Sequence, residues 1–209
     1  IPKLRTYAAT LWDYWEQNLD PDIRNDRASE KAVRGKAVVI TGASSGIGKA
    51  TAWRVAAPGG TAILVARGAE KLEQTKGDIL AQGGAAFAYP CDLSDLDEID
   101  KLAKKLNRDF DGIDVVVNNA GRSIRRSLRL SYDRFHDFER TMQLNYFGAI
   151  RLVMGLTPGM AKRKTGHIVN ISSIGVQTNP PRFAAYVASK AALDAWSRVV
   201  ASELIGQNI

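Results

Sequence analysis

The sequence contains little of the chemistry that crosslinks chains or binds metals. It has one cysteine, Cys91, and only two histidines among 209 residues. A single thiol forms no internal disulfide, and no Cys/His cluster with the spacing of metal ligands is present. We therefore expect no metal site, and we expect a reducing compartment, the cytoplasm, as the location.

Long apolar runs are also absent. No segment approaches the roughly 20 apolar residues of a membrane-spanning helix, and the start lacks the charged and then apolar order of a secretory signal. The formal net charge of +7 suits nucleic acid, anionic lipid or phosphate-bearing small molecules. The basic residues are mostly scattered, without the interleaved aromatic residues of a base-stacking surface. We predict no transmembrane segment and no binding to nucleic acid.

From Gly35 onward, short β-rich runs alternate with longer helical patterns. The predicted strands are Lys36–Thr41, Thr61–Ala66, Ala85–Pro90, Ile113–Asn118 and Gly166–Ser172. The predicted helices lie near 46–57, 69–82, 95–110, 131–163 and 183–206. This alternation is typical of βαβ units. It predicts an α/β fold, a doubly wound, Rossmann-type parallel sheet in three α/β/α layers, with its ligand site at the carboxyl ends of the strands.

Residues 1–34 precede this alternating pattern. Seven large apolar side chains recur at mostly helical spacing and predict an amphipathic helix over residues 4–19: Leu4, Tyr7, Leu11, Trp12, Tyr14, Trp15 and Leu19. The polar stretch from Asp20 to Arg34 is predicted as a linker into residues 35–209. Because the chain begins with Ile1, we expect a piece of a longer polypeptide whose aromatic stripe packs on a preceding domain. The alternative is a terminal helix that covers the core of its own domain.

A glycine-rich turn, TGASSGIG, follows the first predicted strand. Its glycines permit a tight turn, and backbone amides then approach a pyrophosphate at the amino terminus of a helix. The spacing differs from GxGxxG and from the loop of nucleotide hydrolases, so the turn alone is weak evidence. The cofactor-binding candidates in it are Gly42, Ser44, Ser45, Gly46, Ile47 and Gly48.

The ends of the next strands add three features. Arg67 follows the second strand, where many dinucleotide-binding folds carry an acidic residue, and its guanidinium favours the 2′-phosphate of NADP(H) over NAD(H). The alternative is a solvated arginine that caps a helix. Asp92, next to Leu93, is a candidate acceptor for an adenine amino group, or else a helix cap. After the fourth strand, small polar residues let a ribose lie against the backbone: Asn119, Ala120 and Gly121.

A second group of residues carries acid-base chemistry. Tyr186 and Lys190 are four apart on a predicted helix and so project from one face. Ser173 lies thirteen residues before Tyr186, and Asn145 lies inside the long preceding helix. Strand alternation predicts that Ser172 points to the other face of the sheet and is structural. Together with TGASSGIG and NNAG, this set resembles the short-chain dehydrogenase/reductase family over residues 35–209.

The resemblance implies an NADP(H)-dependent oxidoreductase and a role for each of these residues. Tyr186 is the proton donor, and Lys190 stabilises its phenolate and holds the nicotinamide ribose, so both also belong to the cofactor site. Ser173 binds the carbonyl oxygen, and Asn145 helps to hold a water that links the lysine to solvent. Family members commonly associate through the two long helices, which implies a homo-oligomer. They also have further strands after the last helix, which this chain lacks.

At a finer level, the linker and two segments, GRSIRRSLRLSYDRF and ISSIGVQTNPPRFAAYVASKAALDAWSRVVASELIG, resemble the reductase domain of bacterial fatty acyl-CoA reductases. In those proteins the domain is covalently linked to a preceding reductase domain. The resemblance implies a small-molecule carbonyl substrate, a fatty acyl-CoA or fatty aldehyde. One alternative is a reductase of a β-keto lipid or another ketone. The other is a non-enzymatic nucleotide-binding module, which would be expected to lose Tyr186 or Lys190.

Two basic clusters stand out from the otherwise scattered charges. Four arginines follow the NNAG turn, and we expect them to border the substrate entrance: Arg122, Arg125, Arg126 and Arg129. They are either solvated surface or ligands for the phosphates of coenzyme A. The second cluster, residues 162–164, is predicted at the far end of the next helix, near the amino ends of the strands.

Overall fold

The computed structural model describes residues 26–209 of the chain. The amphipathic helix predicted for residues 4–19 lies outside the described residues. The strands are β1 Ala37–Thr41, β2 Thr61–Ala66, β3 Ala85–Pro90, β4 Val115–Asn118 and β5 His167–Asn170. The α-helices are α1 Asp26–Val33, α2 Gly46–Ala56, α3 Ala69–Ala81, α4 Leu96–Asp109, α5 His136–Met142, α6 Ala149–Arg163, α7 Gly175–Thr178 and α8 Ala184–Leu204.

The five strands form one parallel sheet in the order β3-β2-β1-β4-β5. The chain moves outward from β1 to β3 and then returns to the other side of β1 to place β4. This reversal opens a crevice at the carboxyl ends of β1 and β4, where doubly wound folds bind their ligands. The predicted α/β, doubly wound fold is confirmed. Within residues 26–209 β5 is an edge strand of the sheet.

Both faces of the sheet are covered by helices. Val39 packs into a core cluster with residues of α4 and α6, whereas its neighbours Val38 and Ile40 pack into a second cluster with residues of α2 and α3. Successive side chains of a strand point to opposite faces, so one continuous apolar run supplies both clusters. All three of these residues are at most 1% exposed. The two layers of helices hold the sheet rigidly beneath the crevice.

Four details of the sequence prediction are wrong. Residues 26–33, predicted as linker, form α1. The helix predicted over 131–163 begins only at His136, and its centre, Gln143–Gly148, has π-helical hydrogen bonding. The fifth strand ends at Asn170, so strand alternation does not apply to Ser172. The structure also contains short helical segments that we did not predict: Leu128–Leu130, α7 and Ile205–Gln207. None of the helices between residues 26 and 209 is long and apolar enough to cross a membrane.

Candidate active site

A cavity of about 760 Å³ lies at the carboxyl ends of β1 to β4. This volume is within the range of pockets that bind cofactors and drug-sized ligands. The lining comes from four loops and one residue of the π-helical segment: Gly42, Ser44, Ser45, Gly46, Ile47, Ala66, Arg67, Gly68, Cys91, Leu93, Asn119, Ala120, Gly121 and Leu144. Ten of the fourteen predicted cofactor residues are in this lining. The four outside it are Gly48, Asp92, Tyr186 and Lys190.

The glycine-rich turn leaves its backbone open toward the cavity. Gly42 and Gly46 have φ values of +68° and +52°, a region that side-chain-bearing residues rarely adopt. A Cβ added at Gly46 would meet no atom within 4 Å. The side chain of Ser45, the N-cap of α2, makes no capping hydrogen bond. The first amides of α2 have no helical partner and lie at the positive end of the helix dipole, so this turn fits a dinucleotide pyrophosphate.

Gly48 belongs to the turn but does not line the cavity. A Cβ added at Gly48 would lie 2.3 Å from the carbonyl oxygen of Gly42 and 2.6 Å from Nδ2 of Asn119. Only a residue without a side chain lets α2 pack this closely against the turn and against the end of β4. Gly48 therefore supports the shape of the glycine-rich turn without lining the cavity.

The ends of β2 and β3 form the second wall of the cavity. Arg67 directly follows β2 and is exposed beside the cavity, one residue before Gly68, the N-cap of α3. Asp92 accepts a hydrogen bond at Oδ1 from the backbone N–H of Ser94, at 2.9 Å. The alternative prediction for Asp92, a cap of the next helix, is wrong, because Asp95 caps α4 by accepting from two backbone amides.

Cys91 is the only thiol of the chain and lies in the cavity lining. It is 4% exposed, and burial, together with the nearby carboxylates of Glu98 and Asp92, raises its pKa to about 12. The thiol therefore stays protonated at neutral pH. A protonated thiol is a poor nucleophile, so Cys91 is unsuited to forming a covalent acyl intermediate.

The end of β4 is fixed to β1 by a side chain that the sequence analysis did not single out. Thr41 accepts hydrogen bonds at Oγ1 from the backbone N–H groups of Asn119 and Ala120, both at 2.9 Å. The side chain of Asn119 in turn donates to the carbonyl oxygen of Thr41 at 2.9 Å. Asn119, which lines the cavity, is thus held by the fold.

Two predicted catalytic residues meet beside Gly121. A Cβ added at Gly121 would lie 3.4 Å from Oδ1 of Asn145 and 3.6 Å from Nζ of Lys190. Lys190 is 3% exposed and donates from Nζ to the carbonyl oxygen of Ile171 at 2.6 Å. Burial lowers the pKa of Lys190. The lysine therefore reaches the edge of the cavity from α8 while its chain of methylenes stays inside the protein.

Asn145 lies in the π-helical segment and is held on three sides. Its Oδ1 accepts from the backbone N–H of Arg122 at 2.7 Å, and its Nδ2 donates to the carbonyl oxygen of Arg122 at 2.9 Å. Nδ2 also donates to Oγ of Ser189 at 2.9 Å, and this hydroxyl donates to the carbonyl oxygen of Tyr186 at 2.7 Å. π-bulges are frequent at functional sites. Here the bulge lies between α5 and α6, and its Asn145 bonds both to Arg122, after the end of β4, and to Ser189 of α8.

Tyr186 and Ser173 lie on neighbouring parts of the structure. The ring of Tyr186 packs edge-on against Phe183, with centroids 6.4 Å apart. A Cβ added at Gly175 would lie 3.2 Å from Oγ of Ser173 and 3.3 Å from Cγ2 of Val187, the residue after Tyr186. Ser172 and Ser173 both line a second cavity beside α8, of about 570 Å³. The two serines therefore share a surface, against the sequence prediction for Ser172.

Comparison with known proteins agrees with this geometry. The family profile of short chain dehydrogenases matches residues 36–209. A fatty acyl-CoA reductase of Acinetobacter baylyi is 58% identical over 177 residues, which are 85% of this chain and 60% of that protein.

The chain belongs to the short-chain dehydrogenase family.

Solved structures of the family share the fold. A metagenomic short-chain oxidoreductase in complex with NADP superposes with a TM-score of 0.81 at 34% identity, covering 85% of this chain and 80% of that one. An NAD+-bound xylitol dehydrogenase superposes with a TM-score of 0.79 at 32% identity, covering 84% and 67%. The family therefore includes relatives with either dinucleotide. The chain spans 56% to 60% of the length of the curated relatives that are more than half identical to it.

The sequence prediction missed three members of this short-chain dehydrogenase site. They are Thr41, Ser189 and the carbonyl group of Ile171. Thr41 opens the TGASSGIG motif and Ser189 lies inside YVASK, so their positions gave a signal that we did not use. The carbonyl of Ile171 gave none, because a backbone acceptor has no signature in the sequence.

Proposed function

We propose that the protein reduces a carbonyl compound with NADPH. The observation that supports this most directly is the convergence on one cavity of an open helix amino terminus, an arginine and a buried lysine-asparagine pair. The first feature fits a pyrophosphate, the second a 2′-phosphate and the third a nicotinamide ribose beside an acid-base group. A non-enzymatic nucleotide-binding module has no need of the third feature.

Arg67 supports NADP(H) over NAD(H). The cavity lining contains no Asp or Glu side chain, and Arg67 supplies the charge at the end of β2. A guanidinium offers a phosphate two parallel, charge-assisted hydrogen bonds, whereas a carboxylate in its place would repel the phosphate. The NADP complex of the metagenomic relative is in line with this preference.

The proposed chemistry gives a role to each of the four catalytic candidates. Bound NADPH would supply a hydride to the carbonyl carbon of the substrate. Tyr186 then donates its phenolic proton to the carbonyl oxygen, and Lys190 stabilises the phenolate that remains. Ser173 donates a hydrogen bond to the same oxygen as negative charge develops on it. Asn145 bonds to α8 through Ser189, and we propose that it helps to hold a water that links Lys190 to solvent.

For the substrate we propose a fatty aldehyde, which one NADPH and one proton reduce to the alcohol, or a fatty acyl-CoA, which two NADPH and two protons reduce to the alcohol with release of coenzyme A as its thiol. The support is the fatty acyl-CoA reductase of A. baylyi, which is 58% identical over most of this chain. The protonated Cys91 argues for direct hydride transfer without an acyl-enzyme. Reduction of a β-keto lipid or another ketone is the second candidate, because the same catalytic residues serve both reactions.

One assay separates these candidates. The complete natural protein is mixed with NADPH or NADH, and oxidation of the cofactor is followed with acyl-CoAs, fatty aldehydes, 3-oxoacyl compounds and simple ketones. We expect turnover with NADPH on acyl-CoAs or aldehydes. Turnover on 3-oxoacyl compounds or ketones alone would favour the second candidate, and binding of NADPH without any turnover would favour the nucleotide-binding module.

We also propose that the protein forms a homo-oligomer and that residues 35–209 are one domain of a longer polypeptide with a preceding domain. The helices α6 and α8 leave large apolar side chains exposed, Met154 and Val199 at 59% each. Such side chains often mark an interface. Light scattering on the complete protein measures the native mass, and a monomer at assay concentration would contradict the homo-oligomer. The mass of one chain under denaturing conditions tests the preceding domain, and a chain too short for a second domain would contradict it.

The arginine segment yields a prediction about coenzyme A. Arg125 and Arg129 are exposed, whereas Arg126 is half-buried and contacts a buried carboxylate. We predict that Arg125→Glu/Arg129→Glu raises KM for an acyl-CoA about tenfold and weakens its salt dependence, because two charge-assisted phosphate contacts are lost. The KM for the matching free aldehyde should change less than about twofold.

The control for this prediction is the pair Lys162→Glu/Lys164→Glu. Both lysines are exposed, and the double variant changes the net charge by the same amount at the end of α6. It should leave both substrates unaffected. Parallel changes on thioester and aldehyde in the Arg125/Arg129 variant would return these arginines to solvated surface.

A further inference from the structure

The segment between β4 and α5, residues 122–135, borders the candidate active site. Its only regular structure is the short turn Leu128–Leu130. It is attached to the catalytic residues at its start, through the backbone of Arg122 and the side chain of Asn145. Further along, the backbone N–H of Arg126 donates to the carbonyl oxygen of Arg182 at 2.7 Å. Arg182 lies two residues before α8, the helix that carries Tyr186 and Lys190.

Arg182 has an unusual backbone conformation. Its φ is +74°, in the left-handed region that favours glycine. Residues held in such conformations persist when surrounding contacts fix them. Phe183, the N-cap residue of α8, makes no side-chain hydrogen bond to the helix. The contact from Arg126 is therefore well placed to hold this turn and, with it, the start of α8.

The side chain of Arg126 reaches a buried carboxylate on α5. Asp137 has a side chain that is 5% exposed, and Nε of Arg126 lies 3.3 Å from its Oδ2. Arg134 donates from Nε to Oδ2 at 3.0 Å, and Arg140 donates from Nη2 to Oδ1 at 2.8 Å. These two bonds hold the pKa of Asp137 down at about 2, with a further contribution from His136. The carboxylate is therefore ionised at any pH of assay.

The three arginines around Asp137 differ in what they connect. Arg134 and Arg140 are each three residues from Asp137 and bind it locally. Arg126 comes from eleven residues earlier, from the part of the segment that bonds to the turn at Arg182, whereas Arg134 lies at the end of the segment next to α5. The segment, α5 and the start of α8 enclose a space of about 20 Å³, lined by Arg126, Asp137, Arg182 and Ala185 among others. Helix α5 packs directly on α8, and of the three arginines Arg126 is the one whose backbone also bonds to the turn before α8.

We propose that Arg126 and Asp137 are positioning residues for the active site. The ion pair fixes the side chain of Arg126, and the backbone N–H of Arg126 then fixes the turn at Arg182. This turn leads into α8 and so orients Tyr186 and Lys190. The kinetic part of this proposal rests on the proposed carbonyl reduction. The structural part, that the ion pair orders residues 122–135, does not depend on it.

The decisive comparison is between Arg126→Gln and Arg140→Gln in the complete protein. Each removes one guanidinium from the same carboxylate, but only the first variant removes the contact from the part of the segment that bonds to the turn at Arg182. Trypsin cleaves after arginine, so cleavage at Arg122, Arg125 and Arg129, followed by mass spectrometry with NADPH bound, reports directly on the order of the segment. We expect Arg126→Gln to speed this cleavage roughly fivefold or more and Arg140→Gln to change it less than about twofold.

Steady-state kinetics provides the second measurement. Arg126→Gln should lower kcat/KM for the carbonyl substrate roughly fivefold or more, while Kd for NADPH stays within about twofold, because the phosphate cradle lies on β1 and α2. Arg126→Lys should recover part of the loss, since it keeps the charge. Asp137→Asn should reproduce both effects of Arg126→Gln, whereas Asp133→Asn, which alters an exposed carboxylate of the same segment, should reproduce neither.

The outcomes separate the two proposals. Unchanged cleavage in Arg126→Gln, or equal acceleration in Arg140→Gln, would overturn the positioning role whatever the kinetics show. Faster cleavage with unchanged kcat/KM would also overturn it, because the segment would then be mobile without consequence for the site. Faster cleavage in a protein that reduces no carbonyl compound would leave the ordering role intact and reject the proposed function.

Discussion

Replacing Tyr186 with phenylalanine in the complete protein should lower kcat by about 100-fold to 10,000-fold, the usual contribution of a positioned proton donor. The variant loses only the hydroxyl group, and the ring keeps its edge-on contact with Phe183. Tyr186 is not part of the lining of the cofactor cavity. The Kd for NADPH, measured by fluorescence titration, should therefore stay within about threefold of the parent value.

The control for this prediction is Tyr132→Phe. Tyr132 is 79% exposed and lies outside the cavity lining, so it allows the same chemical change on a tyrosine that is not a catalytic candidate. It should leave kcat and the Kd for NADPH unchanged. If Tyr186→Phe retained a substantial share of the parent kcat, the proton would come from another group and the catalytic assignment would be wrong.

Replacing Arg67 with alanine should weaken NADPH binding about 10-fold to 150-fold. This range corresponds to a charge-assisted hydrogen bond worth roughly 1.5 to 3 kcal/mol. Binding of NADH, which has no 2′-phosphate, should change little. Isothermal titration calorimetry measures the Kd for NADPH and for NADH directly. The loss of NADPH affinity should be smaller at high salt, because salt screens the charge interaction.

Lys71→Ala is a suitable comparison for the Arg67 variant. Lys71 is an exposed cation on α3, four residues further along, and it is outside the cavity lining. It should affect neither cofactor. Equal losses of NADPH and NADH in Arg67→Ala would show that the arginine supports the local fold and does not read the 2′-phosphate.

The sheet and the cofactor turn could be predicted because their signals are local. The apolar runs of β1 and β2 and the glycines at positions 42 and 46 express a backbone requirement in the residues themselves. The bounds of β2 and β3 were predicted to the residue. The fifth strand was predicted too long: its pairing with β4 ends at Asn170, although the next residue, Ile171, is apolar.

The long helix before β5 shows why some predictions failed. Its apolar periodicity predicted one helix over 131–163, but the structure starts it at His136 and widens it to π-helical geometry around Asn145. A π-bulge inserts one extra residue into a helix, and hydrogen bonds of that region to other parts of the protein stabilise it. Here Asn145 bonds to the backbone of Arg122 and to the hydroxyl of Ser189, which are distant along the chain.

The sequence by itself determined the fold class, the family resemblance, the phosphate turn and the identity of the four catalytic candidates. These features are encoded by residue type at fixed spacing, because the side chains on one face of a helix or strand recur with the period of its backbone. Only the tertiary structure decided that Arg126 is held by Asp137 while Arg125 and Arg129 stay exposed. The four arginines are alike in the sequence, and a buried carboxylate selects among them only after α5 has packed beside the segment.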